Sequence, residues 1–361
     1  MAIAPDDAWA VGTRYPASGG LALESLVERW NGNRWLRVEV PDVGPLAAVA
    51  ASGPADVWAL NGARLIHYDG AEWRQVPTPK LRDNFNDVFA LAPDDAWLVG
   101  WRSGDTYAAE CGEHRSEELP LVEHWDGARW HVVPIPRPPV HLTFLAKVEG
   151  TSSSDVWIGG TYETDVPPTR PGNGCANGPP AHDRSIAVHW NGRTWTIVPT
   201  HDPGPDTSTG AISMTGADDG WLVGEYIPAN GFDQPVFLHW NGASWQPAPS
   251  GPAGGQRERL PSDVVALSRN DAWTAGTNPN VPSVEHWNGT VWTPIEGARL
   301  GVRRNVRGDL TGIDASSPGD VWAVGVTAGH TDVTGRSPSA ALILHWDGHR
   351  WSRVRPAPFA E

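Results

Sequence analysis

The chain has 361 residues, 40% of them hydrophobic, with 42 Asp and Glu against 27 Lys and Arg, a formal net charge of −15 and a pI near 5.2. That balance excludes a nucleic-acid backbone or an anionic membrane as the main partner, because both need a basic surface. No apolar run is long enough to span a bilayer, and no secretory signal is visible in the sequence, which opens in repeat sequence at Met1-Ala2-Ile3-Ala4.

A two-part phrase recurs seven times. Its first half is Asp-x-Trp, at Asp7/Trp9, Asp56/Trp58, Asp95/Trp97, Asp155/Trp157, Asp219/Trp221, Asp271/Trp273 and Asp320/Trp322. Its second half is an aromatic, Asp or Asn, Gly, and then Trp three residues later, ending at Trp35, Trp73, Trp130, Trp195, Trp245, Trp292 and Trp351. The phrase accounts for 20 of the 21 tryptophans, leaving Trp101 outside it. Spacings between successive first-half tryptophans are 49, 39, 60, 64, 52 and 49 residues.

Read in chain order, the units run over 1–41, 44–79, 84–136, 142–201, 209–249, 261–296 and 308–358. The first is clipped at its leading strand. The second displays the elements most plainly. Leu46–Ala51 is a short apolar strand A, and Ser52-Gly53-Pro54-Ala55-Asp56 is turn chemistry. Val57–Leu60 is strand B, Asn61-Gly62 a hairpin turn, Leu65–Tyr68 strand C, Asp69-Gly70 a second turn, and Trp73–Pro77 strand D. Apolar residues alternate onto both faces of strands B and C, so each small antiparallel sheet needs a neighbour on either side. Radial stacking supplies both neighbours. The predicted fold is therefore all-β, a seven-bladed β-propeller of one domain over 1–361, with four antiparallel strands per blade and each blade one continuous A-B-C-D segment. The spacing fits the roughly 40–50 residues of WD40 and kelch repeats.

The phrase Asp-Val-Trp-Ala-Val-Gly at 320–325, with His-Trp-Asp-Gly-x-x-Trp at 345–351, resembles the Trp-rich repeats of bacterial, actinobacterial-type secreted β-propellers, loosely akin to kelch and sialidase-type propellers. The resemblance implies the fold and no particular activity. The sialidase box reads Asp-x-Gly-x-x-Trp, whereas here Gly follows the Asp or Asn directly, so no sialidase residues carry over.

Alternating strands place A–B and C–D turns on one rim and B–C and D–A connections on the other. The second set is the variable one, long between Arg102 and Pro120, Thr161 and Ser185, and Val326 and Ala340. Loops on a rigid scaffold carry function, so the ligand is expected there. Tyr15, Trp101, Tyr162 and Tyr226 follow strand B on that face and suit stacking against sugar rings. Arg82, Arg257, Arg259, Arg303 and Arg307 lie in D–A connections and suit a carboxylate or phosphate. His201, with His182 and His141, supplies proton-handling groups on the same face.

The six histidines ahead of the strand-C aromatic (His67, His124, His189, His239, His286, His345) sit one per blade, too far apart to share a metal ion. They are expected to be structural, bonding a neighbouring blade's turn, with the seven Asp residues capping turn N–H groups. No metal or cofactor motif is present. Cys111 and Cys175, the only cysteines, fall in long B–C connections of adjacent blades and are expected to form a disulfide. The expectation is a monomeric protein of the extracellular space or cell envelope, the cytoplasm being the alternative, that binds a glycan or an anionic small molecule. An enzyme at the same mouth (glycosidase, polysaccharide lyase or cyclase) and a protein-interaction scaffold are the rival readings.

Overall fold

Val57, Trp58, Ala59 and Leu60 point alternately to opposite faces of one strand, and none is more than 1% exposed. A sheet covered on both faces cannot stand alone, and the architecture follows from that. The computed structural model describes residues 1–15, 22–79, 83–108, 114–164, 182–204, 206–228, 231–251, 259–278, 281–295, 299–302, 307–328 and 339–358. Among them there is no helix.

The strands come in quartets. The first is β1 (Ala2–Ala4), β2 (Asp7–Arg14), β3 (Glu24–Trp30) and β4 (Trp35–Arg37); the second is β5 (Ala48–Gly53), β6 (Asp56–Asn61), β7 (Arg64–Tyr68) and β8 (Trp73–Val76). The third is β9 (Asn84–Ala92), β10 (Asp95–Ala108), β11 (His114–Trp125) and β12 (Trp130–Val132); the fourth is β13 (Leu142–Ser152), β14 (Asp155–Glu163), β15 (Asp183–Trp190) and β16 (Trp195–Val198). The fifth is β17 (Asp206–Gly216), β18 (Asp219–Ile227), β19 (Gln234–Trp240) and β20 (Trp245–Pro247); the sixth is β21 (Leu260–Ser268), β22 (Asp271–Asn278), β23 (Val281–Trp287) and β24 (Trp292–Ile295). The last is β25 (Arg307–Ser317), β26 (Asp320–Ala328), β27 (Ser339–Trp346) and β28 (Trp351–Val354).

Each quartet pairs antiparallel in chain order, giving five four-stranded sheets and one eight-stranded sheet. In the eight-stranded sheet the third and fourth quartets are joined by a single parallel pair, Glu118↔Leu142. This junction corrects the expectation of a long loop between Arg102 and Pro120. Strands β10 and β11 continue as a paired ribbon through Ala108↔His114, and the Glu118 amide donates to the His141 carbonyl at 2.9 Å.

The core lies between sheets. Each first-half tryptophan enters the aromatic pair of the next quartet: Trp9 meets Tyr68 and Trp73, Trp58 meets Trp125 and Trp130, and Trp97 meets Trp190 and Trp195. Trp157 meets Trp240 and Trp245, Trp221 meets Trp287 and Trp292, and Trp273 meets Trp346 and Trp351. Trp322 of the last quartet meets Trp30 and Trp35 of the first, which closes the ring. Centroid separations of 4.8–5.6 Å in these contacts are those of favourable aromatic pairs. The closing seam also holds an Ala2 amide bonded to Asp314 at 2.8 Å and an Ala357 amide bonded to Glu28 at 3.2 Å.

The repeat histidines are structural, but their partner lies in their own sheet, not in a neighbour's turn. His67 Nε2 meets Asp56 at 2.6 Å, His239 meets Asp219 at 2.7 Å and His345 meets Asp320 at 2.7 Å, and the other three pairs repeat the contact. Each imidazole lies over the tryptophan of the same phrase, at 3.9 Å for His67 on Trp58. Cross-strand register makes this inevitable, because His67 pairs directly with Trp58 and Asp56 is two residues away on the same face. In the first quartet Arg29 substitutes, gripping Asp7 through two 2.8 Å bonds with its guanidinium over Trp9.

The phrase Asp therefore binds side chains and does not cap turn amides. That duty belongs to the second-half Asn or Asp: Asn241 Oδ1 accepts from the Ala243 and Ser244 amides at 3.0 Å each. The glycine after it, Gly242, has φ +88°, a left-handed conformation that a side chain would strain.

Candidate functional site

The first strand of each later quartet lines a central channel, the first quartet contributing Met1 and Trp9 to Val11 of β2, and glycines on the second strand decide how. Gly100, Gly160, Gly224, Gly276 and Gly325 each stand three residues after the phrase Trp. A Cβ on Gly224 would fall 2.0 Å from the Ser208 carbonyl oxygen, and the other four would meet the equivalent oxygen at 1.9–2.1 Å. This close approach permits a bulge, in which one extra residue (Asn86, Ala146, Gly210, Ser262 or Thr311) drops out of register. All five extra residues face a cavity of about 440 Å³ on the axis. A cavity of that size suits a small ligand.

Just past the bulge stand Asp87, Lys147 and Asp263, and two residues further along stand Glu149, Ser213 and Asp314; all but Ser213 are ionisable and all line the cavity. Lys147 of the fourth quartet forms an ion pair with Asp263 of the sixth. It reaches past the fifth quartet, where the residue at the same position is Ala211. The same residues also tie neighbouring quartets together. Asp87 accepts the Val148 amide at 3.0 Å, Asp263 accepts the Ile313 amide at 2.9 Å, and Ser213 Oγ accepts the Ala266 amide at 3.0 Å. The amine of Met1 donates to the Trp9 carbonyl at 3.0 Å and lies 3.8 Å from Asp314.

Enclosure shapes the charges. Burial pushes the Asp87 carboxyl up to about 7, against the pull of Lys147 and of the Val148 amide. Burial pushes Glu149 up to about 8, again with Lys147 opposing. Burial works against the Lys147 ammonium, yet Asp263 first, then Asp87 and Glu149, hold it above its ordinary value. Among the described residues no group of three or more His, Cys, Asp or Glu is placed to hold a metal ion.

The residues expected to bind ligand are scattered. Tyr15 is 69% exposed at the end of β2. Trp101 is half-buried on β10, between Asn84 and Pro120. Tyr162 and Tyr226 pack at the edges of hydrophobic clusters between sheets. His201 and Arg307 are exposed. Arg259 is 5% exposed and committed elsewhere, bonded to Glu285 at 3.2 Å and to the Gly251 carbonyl at 3.0 Å. Burial raises Glu285 to about 7 even with Arg259 beside it. Arg82, Arg257, Arg303, Cys111 and Cys175 lie outside the described residues. His182 bonds Asp206 at 2.9 Å and His141 bonds Glu117 at 3.0 Å.

Asp87, Lys147, Glu149, Asp263 and Asp314 were not singled out from sequence. The available signal was charge inside strands that otherwise read as apolar lining, Lys147 being one of only two lysines.

No protein-family model matches the chain, and no curated protein is similar to it in sequence. Solved structures are similar in fold. YCF48 bound to D1 peptide superposes with a TM-score of 0.53 at 14% identity, over 89% of this chain and 84% of that one. The β-propeller domain of the Trilobed protease from Pyrococcus furiosus gives 0.56 at 9% identity, over 96% and 91%. Pyrococcus horikoshii acylaminoacyl peptidase gives 0.59 at 12% identity, over 98% of this chain but 51% of that one, so the chain spans about half its length. With sheets stacked around an axial cavity, these likenesses define the class: the chain is a β-propeller.

Proposed function

We propose that the chain is a seven-bladed propeller that binds carbohydrate at the mouth of its channel, on the face of the B–C and D–A connections. Seven aromatic triads, one per quartet, support the blade count, and we read the eight-stranded sheet, joined by a single parallel pair, as two adjoining blades. The observation that carries the binding reading is the lining of the cavity. Asp87, Asp263 and Asp314 are occupied in clamping adjacent quartets, which favours recognition over catalysis. Burial raises the Glu149 carboxyl to about 8, and its protonated form offers both an O–H donor and a carbonyl acceptor to ligand hydroxyls. Near the loop face, Tyr15 presents an open ring for stacking.

A panel of immobilised glycans probed with the purified chain tests this reading, followed by titration of the best binder. Trp101→Ala and Tyr15→Ala should each weaken binding by about 1 kcal/mol without lowering the melting temperature. A glycan lodged instead at the Asn/Asp-Gly turns of the opposite rim, or no glycan bound at all, would overturn it.

A further inference from the structure

We propose that the first quartet binds an extended peptide along the inner edge of β2, paired with Val11 and Thr13 and carrying a leucine or phenylalanine opposite Gly12. This site is independent of the carbohydrate reading. β1 pairs with β2 only at Asp7 and Ala8, and the Met1 and Trp9 backbones exchange hydrogen bonds of 2.8 and 3.0 Å. Alternation turns the N–H and C=O groups of Val11 and Thr13 to that same inner side, where no strand pairs with them among the described residues. In the second quartet the equivalent carbonyl, that of Leu60, accepts the Ala47 amide at 2.8 Å. The Gly12 carbonyl is taken by the Leu46 amide at 3.1 Å, so the open groups are those of Val11 and Thr13.

The sister quartets show what such an edge holds. Gly12 stands three residues after Trp9, the position of Gly100, Gly160, Gly224, Gly276 and Gly325. At those five an added Cβ would meet a carbonyl oxygen of the inner strand at 1.9–2.1 Å, whereas at Gly12 it meets nothing within 4 Å. Opposite Gly100, Gly160 and Gly325 stand Phe85, Leu145 and Leu310, none more than 3% exposed. Each packs on the quartet before it, in one cluster with Leu60, Val99 and Ala275 respectively. The residue equivalent to those three on the quartet before the first is Val324. It is half-buried and lines the axial cavity, where they are at most 1% exposed. A leucine or phenylalanine on a peptide strand would cover Val324, while main-chain bonds to Val11 and Thr13 hold the strand in place, as in β-strand addition.

The probe is the acetylated, amidated peptide Asn-Phe-Asn-Asp-Val, which copies residues 84–88. Calorimetric titration into the purified chain should give a Kd below about 1 mM, and the same peptide with Asp in place of Phe should not bind. Hydrogen exchange read by mass spectrometry should slow across residues 10–14 when the peptide is present. Gly12→Ala is the decisive variant. Its Cβ enters open space, so the melting temperature should hold, yet it would stand where the peptide carbonyl must pass, so affinity should fall at least about tenfold. No binding, or equal binding to Gly12→Ala, would overturn the proposal. So would residues 10–14 already protected in the chain alone, or protection that grows with protein concentration, which would put a second copy at the edge.

Discussion

At the scale of the residue, the unit that repeats is an acid, an indole and an imidazole held in one stack. Asp219 receives His239 and Thr215, while the His239 ring lies 4.7 Å from Trp221. Burial works against the equivalent Asp155 and Asp320 carboxyls, yet hydrogen bonds from His189 and His345, and from Thr151 and Ser316, hold both below their ordinary values. Asp219→Ala should therefore strand a partly buried imidazole and cost about 1–3 kcal/mol in urea unfolding. A change near zero, like that expected at an exposed control such as Asp6, would mean the stack is ornamental. Trp221 is fully buried between sheets, and Trp221→Ala should cost about 3–5 kcal/mol.

At the scale of the element, strands and turns were legible in the sequence because repetition writes them in residue identity. The Asn-Gly and Asp-Gly turns, the aromatic ahead of them and the Trp after them are fixed by local geometry, so counting finds them. The channel was not legible. Lys147 and Asp263 meet across 116 residues of chain, and no period along one strand signals such a pairing. The bulges were hidden for a related reason, since the glycine that permits each one sits on the partner strand. Gly224→Ala should force the Ser208 carbonyl away and cost about 1–3 kcal/mol, and it should also move Gly210 and Ser213 within the channel. Ligand affinity should fall with stability in this variant, whereas Gly210→Ala, with nothing within 4 Å of an added Cβ, should spare stability.

At the scale of the whole molecule, the buried acids set the response to pH. Asp87, Glu149 and Glu285 hold protons up to about 7, 8 and 7, well above their ordinary carboxyl values. The folded state thus binds more protons than the unfolded chain between about pH 4.5 and 8, and stability is lost as pH rises through that window. Melting temperature should decline from mildly acidic to mildly alkaline solution, and Glu149→Gln should flatten the decline. A melting temperature that climbs toward pH 8 would show that these groups ionise freely in the fold. Cys111 and Cys175 bear on the location expected from sequence: unfolded, unreduced protein should contain no titratable thiol if they are bridged.

The seam between the last and first quartets has a consequence for how the chain reaches its native state. Its contacts, Ala2 with Asp314 and Glu28 with Ala357, join residues 312 and 329 positions apart. Every other inter-sheet contact can form as its two quartets become available, but this one must wait for the final strands. Until then Trp30 and Trp35 have no Trp322 to cover them, and one flank of the first sheet stays open to water and to other chains. Ring closure thereby carries the largest loop-closure entropy in the molecule, and the interval before it leaves an aromatic flank open to aggregation.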